Sequence, residues 1–160
     1  MNNNFQRIGS VSNTQVGDDF ESEVFALLSK QIDGLQKPFA VDVGIQHLKK
    51  HKFDMGCENP PVIVECKSHT WTTSGNVPSA KMTTWDQAML YFHLSPAYYR
   101  KIFVVKKDYN EKRKETLCEY YLRTHSNLIP YNVEFWEYDT VELQQILTNI
   151  NDQKNPATLL

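Results

Sequence analysis

Apolar positions along the chain change spacing repeatedly, and the changes divide it into helical and extended segments. Phe20, Val24, Leu27 and Leu28 recur at helical spacing and mark a core-facing stripe. Gly17-Asp18-Asp19 ahead of them places acids where the positive end of a helix favours them, and Pro38 closes the segment. Residues 39–45, 52–55 and 62–67 are short and rich in β-branched or aromatic residues, as strands are. The first two read as a hairpin around Leu48 to His51, and Pro60-Pro61 separates the last two. The third is the most apolar, which predicts a central strand.

Beyond it, residues 68–79 form a polar loop with Trp71, Gly75 and Pro78, and a helix is predicted from about Ala80 to Leu94, ended by Pro96. Residues 101–106 read as a buried strand, about 111–125 as a charged helix, 133–138 as an alternating strand and 141–150 as an amphipathic helix. The Asn-, Gln- and Ser-rich residues 1–16 read as a flexible arm and 151–160 as a polar tail, leaving one domain over 17–150. Strands interleaved with helices predict an α/β fold, a mixed central sheet flanked by helices on both faces.

Composition narrows the function without naming it. With 41% hydrophobic and 22% charged residues in 160, the chain has enough apolar material for one core without staples. A net charge of -2 excludes a uniformly basic nucleic-acid binder, so any such site is a local patch. Cys57, Cys66 and Cys118 are scattered and odd in number, which points to free thiols in a reducing compartment. The Asn-rich start lacks a signal peptide's apolar core, and no run approaches the ~20 apolar residues of a bilayer span. The expectation is a cytoplasmic protein with no membrane contact.

Chemistry concentrates in one stretch, Lys52 to Lys67. Acidic-x-Lys tripeptides arise by chance at this composition, and the chain has two, Glu65-Cys-Lys67 and Asp152-Gln-Lys154. The second follows no apolar strand and is discarded. In the first, residues i and i+2 of a strand share a face, so Glu65 and Lys67 project together. Val62, Val64 and Cys66 face the other way, ready to bury against a helix. Charges closing an apolar strand are costly unless paired or bound to metal. A hairpin would bring Asp54 beside Glu65. Oxygen ligands from Asp54 and Glu65 suit Mg²⁺, with Mn²⁺ as a substitute, and Lys67 would orient or deprotonate an attacking water or stabilise the transition state. The competing reading is a surface Glu-Lys pair with Asp54 in a turn.

At these residues the chain resembles the restriction-endonuclease-like nucleases, the PD-(D/E)xK superfamily. The resemblance covers about Gly17 to Lys106 and implies an αβββαβ core with its metal site where the second and third strands diverge. It maps the motif's acids to Asp54 and Glu65 and its lysine to Lys67, with the Cys66 backbone carbonyl as a further metal ligand. Glu21 matches a helical glutamate that supports metal or water. Gln87-Ala-Met-Leu-Tyr91 looks like the Gln-x-x-x-Tyr feature of the RecB-like branch, which would put Gln87 at the site and Tyr91 on DNA. Phe53 stands where many members carry proline, and Cys66 is an unusual middle residue. The resemblance implies a Mg²⁺-dependent DNA endonuclease, acting as a homodimer if it cuts both strands.

Remaining candidates carry two readings each. Trp71, among Thr and Ser residues, either contacts nucleic acid or packs its loop onto the core. Lys81 either reaches a phosphate or is solvated. Lys49, Lys50 and Lys52 form either a backbone-binding patch or a hairpin tip. From other functional classes, a catalytically silent nucleic-acid-binding module and an interaction subunit on the same scaffold remain open. Exposed apolar surface at Phe135 and Trp136 would favour the subunit.

Overall fold

The computed structural model describes residues 12–147. The order is α1 (Asn13–Leu28), β1 (Phe39–Val43), β2 (Lys49–Phe53), β3 (Met55–Glu58), β4 (Pro61–Lys67), α2 (Ser79–Leu94) and β5 (Arg100–Lys106). There follow β6 (Tyr109–Asn110), β7 (Glu115–Thr116), α3 (Leu117–Thr124), a 3₁₀ turn, β8 (Val133–Tyr138) and β9 (Leu143–Leu147). The fold is of the α/β class, with a mixed five-stranded sheet ordered β3-β4-β5-β8-β9. β4, β5 and β8 run parallel, with β3 and β9 antiparallel at the two edges. β1 and β2 form a separate antiparallel pair.

Alternation along the strands splits the core into two layers. Val62, Val64 and Cys66 of β4, with Ile102 and Val104 of β5, bury against Phe20, Val24 and Leu28 of α1. Ile63, Phe103, Val105 and Phe135 point the other way, onto Trp85, Met89 and Phe92 of α2 and Leu117 and Tyr121 of α3. The steps from β4 to β5 to β8 cross the sheet in one direction, so crossovers of one hand place α2 and α3 on the same face. The middle strand is β5, flanked by parallel partners; β4 is interior, one place from the edge.

Four expectations are corrected. The first helix begins at Asn13, inside the expected arm, because the Ser12 side chain accepts the Gln15 N–H and caps it. The expected strand 52–55 is two strands meeting at Asp54, and Lys49 to Phe53 pair along β1 where a hairpin tip was expected. Residues 111–116 form a turn and short β-ladder, so the third helix starts at Leu117, held by a Thr116–Glu119 capping box. Residues 143–147 are strand β9, not helix: β8 would otherwise present an unpaired edge, and its ladder outweighs a weak local preference. Residues 148–150 of that segment, the tail and residues 1–11 lie outside the described residues.

Gly56 shows how tightly β3 is seated. A Cβ there would stand 2.5 Å from the Phe39 ring and 2.6 Å from the Val62 carbonyl oxygen. Gly56→Ala is expected to destabilise the protein by about 1–3 kcal/mol, because backbone cannot yield as a flexible side chain can. Urea denaturation checks this, and an unchanged midpoint would contradict it.

Candidate active site

Asp54 is the one residue between β2 and β3, where the chain stops pairing with β1 and starts pairing with β4. Pairing with β4 begins at Met55 opposite Val64, so among the described residues no strand covers Glu65, Cys66 and Lys67 on that side. The Cys66 N–H left over donates to Asp54 Oδ2 at 2.7 Å. Strand divergence thus creates the orphan donor that seats the first carboxylate. Glu65 and Lys67 share the opposite face of β4 from Cys66, and Lys67 Nζ donates to Glu65 Oε1 at 2.6 Å. The second oxygen, Glu65 Oε2, is buried with no hydrogen-bond partner among the described residues.

The charges act on one another. Burial, and then the Glu65 carboxylate, raise Asp54 to about 6, against the Cys66 N–H and Lys67. Burial, and then Asp54, also raise Glu21, although Lys37 Nζ lies 3.4 Å from its carboxylate and opposes the shift. Burial alone would lower Lys67, but its Glu65 partner, with Asp54 behind it, outweighs that and leaves it raised. Lys67 is therefore a cation at neutral pH, suited to stabilising charge rather than taking a proton. Burial, then Lys67, hold His51 below the ordinary imidazole range.

These oxygens fit a hard divalent cation. Asp54 is held above its ordinary range by burial and then by a second carboxylate, and Glu65 Oε2 lacks a donor among the described residues, so a cation would relieve both. Among the described residues, no group of three or more His, Cys, Asp or Glu side chains gathers as a complete cage. A site of two carboxylates would leave several positions to water, which is how Mg²⁺ is usually held.

Beside this cluster opens a cavity of about 450 Å³, lined by Glu21, Lys67, Ser68, His69, Thr70, Lys81 and Lys106, among others. It sits beyond the carboxyl ends of β4 and β5, where open α/β sheets place ligands. Sequence reasoning did not place His69 or Lys106 at the site. The signal for His69 was the alternation 65-67-69, which continues the charged face of β4. Lys106 ends β5 beside Val105, the register partner of Lys67, a pairing visible only in the folded sheet.

The other candidates divide. Lys81 lines the cavity. Tyr91 stacks on His51 with ring centroids 3.6 Å apart, so it packs against β2. Gln87 is exposed on α2 and makes no side-chain hydrogen bond to a described residue. Lys49 and Lys52 are exposed along β2, and Lys50 pairs with Asp42 at 2.9 Å.

Trp71 is buried: its indole N–H donates to the Asp108 carbonyl and its ring meets Tyr120, with Arg113 above it. Packing is thus the role its surroundings support. Trp71→Ala is expected to cost about 3–5 kcal/mol of stability. Chemical denaturation measures this, and a loss confined to nucleic-acid affinity would reverse the assignment. All three cysteines are free and buried, so Cys66 is a core thiol. No helix among the described residues is long and apolar enough to cross a membrane.

Comparison with protein families, with curated proteins and with solved structures finds no match for this chain. The site geometry therefore carries the functional reading.

Proposed function

We propose that this protein is a metal-dependent DNA endonuclease of the restriction-endonuclease-like class, the run from α1 through β5 standing for its αβββαβ core when β2 and β3, which meet at Asp54, count as one bent strand. The observation that carries the reading is the convergence of Asp54, Glu65 and Lys67 where the strand pairing switches, with Asp54 anchored on the Cys66 N–H. Asp54 and Glu65, with the Cys66 carbonyl and support from Glu21, would hold Mg²⁺ or Mn²⁺. When bound, such a cation stabilises developing charge and lowers the pKa of a bound water. Lys67 contributes a fixed positive charge beside the scissile phosphate, and burial strengthens it. Double-strand cutting would require two copies, and a homodimer is part of the proposal.

The silent-module reading draws on the absence of a three-ligand cage among the described residues. Against it stands the uncompensated Glu65 oxygen, which a purely structural ion pair has no reason to keep. The interaction-subunit reading loses its expected sign, since Phe135 is fully buried and Trp136 half-buried with its N–H on Glu134. The deciding experiment incubates the protein with supercoiled plasmid and a single-stranded oligonucleotide, with and without Mg²⁺ or Mn²⁺. Metal-dependent cutting is expected, and nicked versus linear product reports one or two strands cut. Neither cutting nor metal binding would transfer the reading to the silent module.

A further inference from the structure

His69 is fixed in one tautomer by its neighbour. Trp85 Nε1 can only donate, and it donates to His69 Nδ1 at 3.0 Å. The ring proton of the neutral imidazole therefore sits on Nε2, which makes no hydrogen bond to another described residue. Burial, then Lys81 and Lys67, hold the imidazole at about 4, so the ring stays neutral at pH 7. A neutral imidazole whose second nitrogen is already occupied serves as a hydrogen-bond donor, not as a base.

That donor belongs to the 450 Å³ cavity beside the carboxylates. The same wall carries Lys81 and Lys106, neither of which forms a salt bridge with a described residue, and the hydroxyls of Ser68 and Thr70. Its one carboxylate among the described residues, Glu21, is engaged by Lys37. Donors and cations of this kind call for an oxyanion with several acceptor oxygens. A space of this size admits a nucleotide's phosphate and sugar, not a duplex.

The geometry points to a phosphate subsite in this cavity, where His69 Nε2–H, Lys81 and Lys106 hold the phosphate adjacent to the scissile one on a single strand. The inference rests on the nuclease reading for its substrate, and its ligand chemistry can be tested apart from cleavage.

The probe is the 5′-phosphorylated thymidine dinucleotide pTpT, titrated calorimetrically into the full chain with a chelator present. Binding is expected, weakened about tenfold or more in Lys81→Met/Lys106→Met, as loss of charge-assisted contacts implies. Lys81 is exposed, so its single variant stays folded and preserves the test. His69→Leu should weaken binding severalfold. His69→Gln should restore most of it, because its amide can accept from Trp85 and still donate.

The ring nitrogens of His69 in ¹⁵N NMR should show the Nε2–H form at pH 7; the other tautomer or an imidazolium would overturn the proposal. Unchanged pTpT affinity in the double lysine variant would also overturn it, whether or not the protein cuts DNA. Equal affinity for inorganic phosphate would overturn the strand assignment. Binding that these variants weaken, in a protein that cuts nothing with Mg²⁺ or Mn²⁺, would keep the subsite and remove the nuclease.

Discussion

Lys67→Ala is expected to lower plasmid cleavage by about 10²–10³-fold, the usual scale for removing a preorganised charge from a transition state. Two features of the structure make the loss this large. Lys67 is raised, and hence fully charged, at working pH. It is also mostly buried, with 20% of its side chain exposed, so water cannot replace it at full strength. The substitution also leaves Glu65 without its ion partner beside Asp54. A stability loss of about 1–2 kcal/mol should accompany it, below that of a fully buried pair because both groups retain some solvent. The variant should therefore remain folded, with thermal unfolding as the check, and bind DNA nearly as well. Cleavage at the wild-type rate by a folded Lys67→Ala protein would remove Lys67 from the reaction.

Asp54→Asn should separate stability from metal binding in opposite directions. The amide oxygen can still accept the Cys66 N–H, while the repulsion from Glu65 disappears. Metal-free protein should be as stable as wild type or more so at pH 7, and the Mg²⁺- or Mn²⁺-dependent rise in Tm should be lost.

The pH dependence follows the same logic. Asp54 titrates near 6 in the folded protein against 3.8 as its ordinary value, so the folded state holds this proton more tightly. Unfolded chain releases it first, so the Asp54 contribution to stability falls as pH rises from about 4 to 6. Above 6 the penalty is complete, at about 2–3 kcal/mol. The stability difference between wild type and Asp54→Asn should therefore shrink as pH is lowered from 7 to 4. Taking that difference cancels the contribution of His69, which runs the other way because its folded value is depressed. Metal affinity should rise through pH 6 as Asp54 loses its proton. A difference that is flat with pH would mean that burial and Glu65 do not raise Asp54.

Local pattern carried much of this molecule. The face assignment of β4 needed only the period of two, and it set Val62, Val64 and Cys66 against α1 with Glu65 and Lys67 opposite. The pairing of Asp54 with this strand end followed from the order of segments. The bend at Asp54 did not, because a strand that exchanges one partner for another looks the same in sequence as one that does not. The 141–147 segment misled for a related reason: its apolar residues satisfy helical spacing, and only the open edge of β8 selects the extended form. Trp71 could be read either way until Asp108, Tyr120 and Arg113, all distant in sequence, closed around it.

The sequence by itself thus determined the α/β class, the two-faced β4 strand and the nearness of Asp54 to Glu65 and Lys67, since these depend on alternation and short spacing. Tertiary structure alone decided the partner switch that frees the Cys66 N–H, the cavity that gathers His69, Lys81 and Lys106, and the strained state of Asp54. Each of those arises where chain segments far apart in sequence meet, and burial and charge act through space.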